Sequence, residues 1–212
     1  LPVFLIRGYF CLGVLVNTTS GIEHLGDQKG KRIGVPDYHM TDALWMRCAM
    51  KDLYGIETSD NVWHNGRTTD FSHGGIPLTG NPRIRPLLDD GGWAVVAEFY
   101  RKTGAFMANH HVIVQNRILK DNPWAAMALF KAFQESKELA YQDARRQRST
   151  YLYFQGNDEQ DHAAISGEDP YPLGLKAMRP TVERAMQGSL EQGLIRKPMW
   201  PEDIYHPSTL DT

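Results

Sequence analysis

The stretch Gly30–Ile56, GKRIGVPDYHMTDALWMRCAMKDLYGI, predicts a buried strand, a polar turn and an amphipathic helix. Arg32–Val35 is a short apolar run that ends at Pro36, which has no N–H to donate to a neighbouring strand. Thr41 is the expected N-cap of the helix, apolar residues follow at helical spacing, and Gly55 is the expected C-terminal cap. A strand that leads into a helix in this way is typical of α/β proteins.

The turn at the start of this helix is a candidate site for a small acidic molecule. The first N–H groups of a helix lack intrahelical partners and lie at the positive end of the helix dipole, where they favour an anion such as a carboxylate. The turn also carries Tyr38, His39, Met40 and Thr41. The alternative is a helix end that binds only water, since strand–turn–helix units occur throughout α/β proteins.

Length and composition favour a globular protein with one large domain or two small lobes. The formal net charge of −2 gives no electrostatic indication of a nucleic acid or an anionic membrane as partner. Residues 1–17 are apolar but are interrupted by Arg7 and are too few to span a bilayer. Cys11 and Cys48 match no disulfide or zinc pattern and are expected to be buried free thiols.

Strand and helix patterns alternate along the rest of the chain and predict a largely parallel sheet. Strands are predicted at residues 8–17, 62–63 and 105–114, and helices at residues 93–100, 124–145 and 176–193. The segment 65–82 shows neither helical nor strand periodicity. It is expected to be a mobile functional loop, a disordered segment or a junction where residues are missing. The tail after residue 196 is Pro-rich and is expected to lie over the surface. The buried face of the 124–145 helix is expected to comprise Ala125, Leu129, Ala132, Phe133, Ser136, Leu139 and Ala140.

Taken together, these segments resemble the 4,5-dihydroxyphthalate decarboxylase family, which is related to the type II periplasmic solute-binding proteins, including the NMT1-like group. The matching segments follow one another in the family's order, which makes the set specific. They are PVF (2–4), VN (16–17), GIE (21–23), GKRIGVPDYHMTDALWMR (30–47), YGI (54–56), NPRIRPL (81–87), YRKTGAF (100–106), His110 before an apolar strand, NPWAAMALFKAFQESKELA (122–140), DPYPLG (169–174) and EQGL (191–194).

The resemblance implies an α/β fold like that of the type II periplasmic-binding proteins, with two lobes, a ligand cleft between them and hinge strands. Part of the first lobe is expected to be lacking. Residues 1–17 would form a first-lobe strand and hinge crossing, 18–105 the second α/β lobe, and 106–212 the return hinge strand with the C-terminal helices of the first lobe. Compared with the family, residues before Leu1 and a helix and strand between Trp63 and Asn81 are expected to be missing. Phe10–Leu12 stands where the family has an Arg-His pair.

The resemblance further implies a cytoplasmic carboxy-lyase that acts on a hydroxylated aromatic acid without a cofactor and without oxidation. The foremost substrate is 4,5-dihydroxyphthalate, converted to protocatechuate and CO2. Binding of a divalent metal and assembly into a homo-oligomer stay open. The spacing of His64 and His73 matches no specific metal-ligand pattern. The alternatives are a substrate-binding protein of an ABC transporter, which would be periplasmic, and a family member without catalysis.

The chemistry requires cations or N–H groups that hold carboxylates, a group that takes up a phenol proton, and an acid that protonates the ring carbon. His110, which the family match favours, is the expected acid–base catalyst. His111 is the alternate, because adjacent residues on a strand face opposite sides and only one of the two can face the cleft. His39 is the second catalytic candidate, as a contact to a phenolic oxygen. Arg47, two turns into the helix, is expected to be solvated or salt-bridged. The predicted substrate-binding residues are Arg7, Tyr38, Met40, Thr41, Arg101 and His111; their structural alternatives are surface or hydrogen-bonded residues.

Overall fold

The computed structural model describes residues 1–7, 13–66, 84–88, 93–147, 164–165, 167, 169 and 171–212. Two compact units divide the chain. The first comprises Leu1–Arg7, Ala108–Glu183 and Met199–Thr212, and the second comprises Gly8–Met107 and Arg184–Pro198. The mixed α/β class is confirmed, whereas the type II periplasmic-binding fold, its cleft and the division at residues 17 and 105 stay predictions.

The elements of the described residues are short strands and longer helices. The strands are β1 (Phe4–Arg7), β2 (Leu15–Asn17), β3 (Arg32–Val35), β4 (Val62–Asn65), β5 (Ile84–Pro86) and β6 (Ala108–His111). The helices are α1 (Thr41–Tyr54), α2 (Trp93–Thr103), α3 (Asn116–Asp121), α4 (Ala125–Gln147), α5 (Leu175–Glu191) and α6 (Pro201–Ile204). Short 3-10 helices lie at Leu25–Gln28, Thr58–Asp60 and Pro207–Thr209. The predicted helices are confirmed with shifted ends, and α3 and α6 are additions.

The strands pair as three two-stranded sheets, so the predicted largely parallel sheet is wrong for the described residues. β1 pairs with β6 and β2 with β5 in antiparallel orientation, and β3 pairs with β4 in parallel. A parallel pair needs a crossover connection such as a helix, and α1 provides it between β3 and β4. The strand predicted at 105–114 is reduced to the four residues of β6.

The core of the second unit forms around α1. Trp45, Cys48 and Ala49 are buried together with Phe99 of α2, and the Trp45 and Phe99 rings meet edge to face at 6.2 Å. Gly188, in the part of α5 that belongs to this unit, approaches so closely that a Cβ there would lie 2.5 Å from Cys48 Sγ. The predicted buried thiol of Cys48 is confirmed, and its burial raises the pKa to about 11. Cys11 lies outside the described residues.

The core of the first unit corrects the predicted face of α4. Ala126 and Phe130 are buried with Leu1 and Val3. The predicted positions Leu129, Ala132, Ser136, Leu139 and Ala140 are exposed instead. The cause is that α4 carries two apolar stripes, and helical periodicity alone does not show which of them meets a partner.

The tail of the chain is also better packed than the sequence predicts. Tyr205 is 4% exposed and Thr209 is fully buried, so the expected surface position of the tail is wrong for these residues. The Thr212 hydroxyl accepts a hydrogen bond from the Leu175 N–H at 3.2 Å, and its carbonyl accepts one from the Lys176 N–H at 2.8 Å. These bonds tie the end of the chain to the start of α5. Among the described helices, none has the length and apolar character needed to cross a bilayer.

Candidate functional site

The turn between β3 and α1 is held by hydrogen bonds that the residue types of the turn supply. The Tyr38 N–H donates to Asn65 Oδ1 of β4 at 2.8 Å, and the His39 N–H donates to Asp37 Oδ1 at 3.0 Å. The Met40 N–H donates to the Asp37 carbonyl at 3.2 Å. The short aspartate side chain closes the turn on its own backbone, as is common for this residue type.

Met40, and not the predicted Thr41, is the N-cap of α1. Thr41 is the first helical residue, because the turn closed by Asp37 brings Met40 to the cap position. Met40 has extended backbone angles (φ −62°, ψ 144°) and forms no side-chain cap hydrogen bond. The first N–H groups of α1 therefore receive no acceptor from the cap residue. At the other end the predicted cap Gly55 is confirmed, with φ 65° and ψ 25°.

Arg47 is the residue of this region that the sequence prediction missed. The expectation that Arg47 is solvated or salt-bridged is wrong for the described residues. Its side chain is only 2% exposed and forms no ion pair with them. Arg47 Nε donates to Gln192 Oε1 at 2.6 Å and Nη2 donates to the Tyr38 carbonyl at 2.7 Å. Nη1 is buried and has no hydrogen-bond partner among the described residues. Burial lowers the pKa of the guanidinium. The signal in the sequence was the helical spacing of Arg47 with the buried Ala43 and Met50.

Aromatic side chains enclose this guanidinium. Its Cζ lies 3.9 Å from the centre of the Tyr38 ring and 5.2 Å from that of the Trp63 ring, distances typical of cation–π contacts. The Tyr38 ring meets those of Trp63 and His39 edge to face, at 6.0 Å and 5.9 Å. The turn thus combines a buried positive charge, aromatic surface and a helix N-terminus, which suits an aromatic anion.

Of the other predictions in the second unit, His39 lies at this turn and Arg101 does not. The His39 side chain is 73% exposed, with Nδ1 3.5 Å from Asp37 Oδ1. Arg101 lies exposed in the last turn of α2, where a positive charge suits the negative end of the helix dipole. Within the described residues, no hydrogen bond or ion pair joins Arg101 to the turn. Tyr38, His39, Met40 and Thr41 are therefore brought together with Arg47, and Arg101 remains separate.

In the first unit, β6 places His111 in a packed environment. Its ring stacks on Phe4 of β1, with centroids 4.5 Å apart and planes 2° apart, and meets Tyr205 edge to face at 5.2 Å. The Nε2 atom is buried, and none of the described residues forms a hydrogen bond with it. Burial lowers the pKa of His111 to about 4, so the imidazole is neutral near pH 7.

His110 differs from its neighbour in both exposure and backbone. Its side chain is exposed, and no hydrogen bond or ion pair joins its imidazole to the described residues. Its φ of 49° makes it the only non-glycine residue with a positive φ in the part of the chain that the structure describes. A left-handed backbone is unfavourable for a side chain with a Cβ, and such conformations cluster at functional sites.

The remaining site predictions fall partly outside the described residues. The backbone of Arg7 ends β1 and pairs with Ala108, but its side chain is not described. His64 lies exposed on β4, and His73 is outside the description. Where the structure is described, no group of three or more His, Cys, Asp or Glu side chains is placed to hold a metal ion. A divalent metal stays an open prediction.

Comparison with known proteins gives this geometry a chemical context. No family model matches the chain. A 4,5-dihydroxyphthalate decarboxylase of Comamonas testosteroni is 26% identical over 253 residues, covering 100% of this chain and 76% of the relative. A protein of the same name from Pseudomonas putida is 38% identical over 65 residues, covering 31% of this chain and 25% of the relative. The chain is thus similar, over its whole length, to a protein named 4,5-dihydroxyphthalate decarboxylase.

This similarity confirms the predicted family resemblance. The alignment with the Comamonas decarboxylase is longer than the 212 residues of this chain, so it contains gaps opposite segments of the relative. The expectation that segments before Leu1 and between Trp63 and Asn81 are missing stays a prediction. The relation to the NMT1-like proteins stays a prediction.

Proposed function

We propose that this protein catalyses the non-oxidative decarboxylation of a hydroxylated aromatic acid, with 4,5-dihydroxyphthalate as the first candidate substrate and protocatechuate and CO2 as products. The observation that carries the proposal is the homology to a protein named for this activity, which extends over the whole chain. The buried guanidinium beside the aromatic side chains of the α1 turn is compatible with an aromatic anion.

The reaction consumes one proton and exchanges a C–C bond for a C–H bond. Each carboxylate of 4,5-dihydroxyphthalate is para to a hydroxyl group, so loss or sharing of that phenol proton raises the electron density at the carbon that bears the carboxylate. A general acid protonates this carbon, the bond to the carboxylate breaks, and its electron pair restores the aromatic ring as CO2 leaves. The acid is then reprotonated from water.

His110 is the proposed general acid. An acid must be able to carry a proton near neutral pH and must not be committed to other partners, and the exposed His110 imidazole meets the second condition. His111 is less suited because it is stacked on Phe4 and kept neutral by burial. His39 is the proposed contact to the phenolic oxygen, and Met40 and Thr41 contribute backbone N–H groups for a carboxylate.

The test is CO2 release and ultraviolet absorbance change when the complete protein is mixed with 4,5-dihydroxyphthalate, with and without a chelator. Turnover that survives chelation supports a metal-free acid–base reaction, and turnover lost on chelation supports a divalent metal. Saturable binding without CO2 release would refute the enzyme and favour the transporter component. Neither binding nor turnover would refute this substrate altogether.

Two variants separate the roles of the adjacent histidines. His110→Asn keeps a residue type that tolerates a left-handed backbone but removes the titrating group. His111→Phe keeps an aromatic ring to stack on Phe4 and Tyr205. We expect the first variant to lose turnover and the second to retain it; the opposite pattern would assign the acid to His111.

A further inference from the structure

Arg47 is a buried cation that forms an ion pair with none of the described carboxylates. The acceptors of its Nε and Nη2 groups are the neutral oxygens of Gln192 and Tyr38. The side chain is 2% exposed, and its hydrogen-bond and ring partners among the described residues are all neutral. Nη1 has no hydrogen-bond partner there, so both a counter-charge and an acceptor are missing. Burial of such groups is unfavourable unless a partner supplies the missing interaction. An anion that reached Nη1 would supply both.

The position of the guanidinium identifies where this anion would lie. Although Arg47 is in the second turn of α1, its Nη2 reaches back to the carbonyl of Tyr38, two residues before the N-cap Met40. The cation therefore lies at the turn that leads into α1, a helix of 14 residues. Two independent features, a helix N-terminus and an unpaired buried guanidinium, favour negative charge at one place.

We propose that Arg47 is a specificity-determining residue that binds a carboxylate of the substrate through Nη1, together with the first amide groups of α1. The proposal rests on the proposed function and narrows its substrate class. The ligand is an aromatic acid whose carboxylate lies at Arg47 and whose ring contacts Trp63. Neither the sequence nor the family resemblance assigned this role to Arg47.

Nη1 is buried, so a neighbouring side chain has to move before a carboxylate can reach it. We expect Tyr38 to be that side chain, because its ring lies 3.9 Å from Cζ of Arg47. The Tyr38 hydroxyl donates to the Gln192 carbonyl at 3.3 Å. The usual length of such a hydrogen bond is about 2.7–2.8 Å, so this one is weak. Rotation of Tyr38 breaks this weak hydrogen bond and the ring contacts with Arg47 and Trp63, and an aromatic ligand ring would replace the ring contacts.

The carboxylate at Arg47 is the one that remains on the ring after the reaction. A cation held on the departing carboxylate would stabilise the ground state and oppose the loss of charge as neutral CO2 forms, which would slow the chemical step. A cation on the second carboxylate has no such effect and keeps its contact throughout. Arg47 therefore favours aromatic dicarboxylates, and it also binds the monocarboxylate product.

Calorimetric titration with two unreactive ligands tests this assignment. Protocatechuate and catechol share the ring and both hydroxyls and differ only in the carboxylate. We expect wild-type protein to bind protocatechuate about 10- to 100-fold more tightly, the range of a charge-assisted hydrogen bond. In Arg47→Gln the ratio should fall to about 1, with the dissociation constant of catechol unchanged.

Controls separate this role from a structural one. Arg85→Gln removes a positive charge elsewhere in the same unit, one that pairs with Glu23, and should keep the wild-type ratio. An unchanged ratio in Arg47→Gln, an equal loss for both ligands, or a collapse of the ratio in Arg101→Gln instead would overturn the proposal. So would a wild-type protein that does not prefer protocatechuate. These binding data are independent of turnover, so absence of CO2 release would count only against the proposed function.

A measurement on the wild-type protein covers the case in which Arg47→Gln does not fold. With arginine labelled with ¹⁵N, the Nε–H resonance of Arg47 should shift on addition of protocatechuate and stay in place on addition of catechol. Amide resonances of Thr41 and Asp42 should shift with it. No shift of the Arg47 resonance at saturating protocatechuate would overturn the proposal.

Discussion

The left-handed backbone of His110 predicts an unusual response to glycine. At φ 49°, a residue with a Cβ is disfavoured by about 1–2 kcal/mol. Glycine relieves this cost, although it also gives the unfolded chain more freedom, which costs about 0.4–1 kcal/mol. Alanine keeps the cost and removes the imidazole, which is exposed and contributes little packing. We expect His110→Gly to be more stable than His110→Ala by about 1 kcal/mol.

The neighbouring position gives the matched control. Asn109 lies on the same strand with an ordinary backbone, so glycine there should be less stable than alanine by about 0.5–1 kcal/mol. Any side-chain interaction of Asn109 is lost equally in both of its variants. The sign of the glycine–alanine difference should therefore reverse between the two positions. Urea denaturation of the four variants measures it.

Activity measurements on the same variants link the backbone to function. If His110 is the acid, both of its variants should lose about 100- to 10,000-fold in turnover, the usual contribution of a positioned acid or base. Added imidazole should restore part of the turnover in both variants, because their small side chains leave room for it. If alanine at position 110 proves as stable as glycine, the strain argument is refuted; if turnover survives in both variants, the catalytic assignment is refuted.

Three further predictions concern packing and pH. Gly188→Ala should destabilise the fold by about 1–3 kcal/mol in chemical denaturation, because its Cβ would meet Cys48 Sγ at 2.5 Å; a gain in stability from better helix propensity would contradict the close packing. Gly174→Ala should cost about 1–3 kcal/mol, since φ is 96° and the new Cβ would lie 2.8 Å from the Thr212 carbonyl carbon; an unchanged melting temperature would argue against this geometry. The folded-state pKa of His111, about 4, lies below the unfolded value of about 6.5, so the unfolded state takes up the proton first and stability should fall as pH drops from about 6.5 to 4. The loss should be at most about 2 kcal/mol given partial exposure, and His111→Phe should remove it; an equal pH dependence in that variant would refute the assignment.

The elements that sequence predicted well depend on neighbours along the chain. α1, its Gly55 cap and β3 follow from local spacing and residue types within Gly30–Ile56. The N-cap is Met40, one residue before the predicted Thr41, because the Asp37 side chain accepts a hydrogen bond from the backbone of the turn. Such local side-chain hydrogen bonds compete with helix capping. β6 is shorter than predicted because only Ala108–His111 pairs with β1, and apolar spacing does not show where a strand lacks a pairing partner.

The functional residues divide in the same way. The sequence alone determined that a helix N-terminus with aromatic and imidazole side chains follows β3, and that the chain resembles the 4,5-dihydroxyphthalate decarboxylases, because both are written in contiguous residues. Only the tertiary structure decided which stripe of α4 is buried, and that Arg47 pairs with none of the carboxylates in the described part of the chain. The reason is that Arg47 meets Gln192, 145 residues away, and no local pattern specifies such a contact.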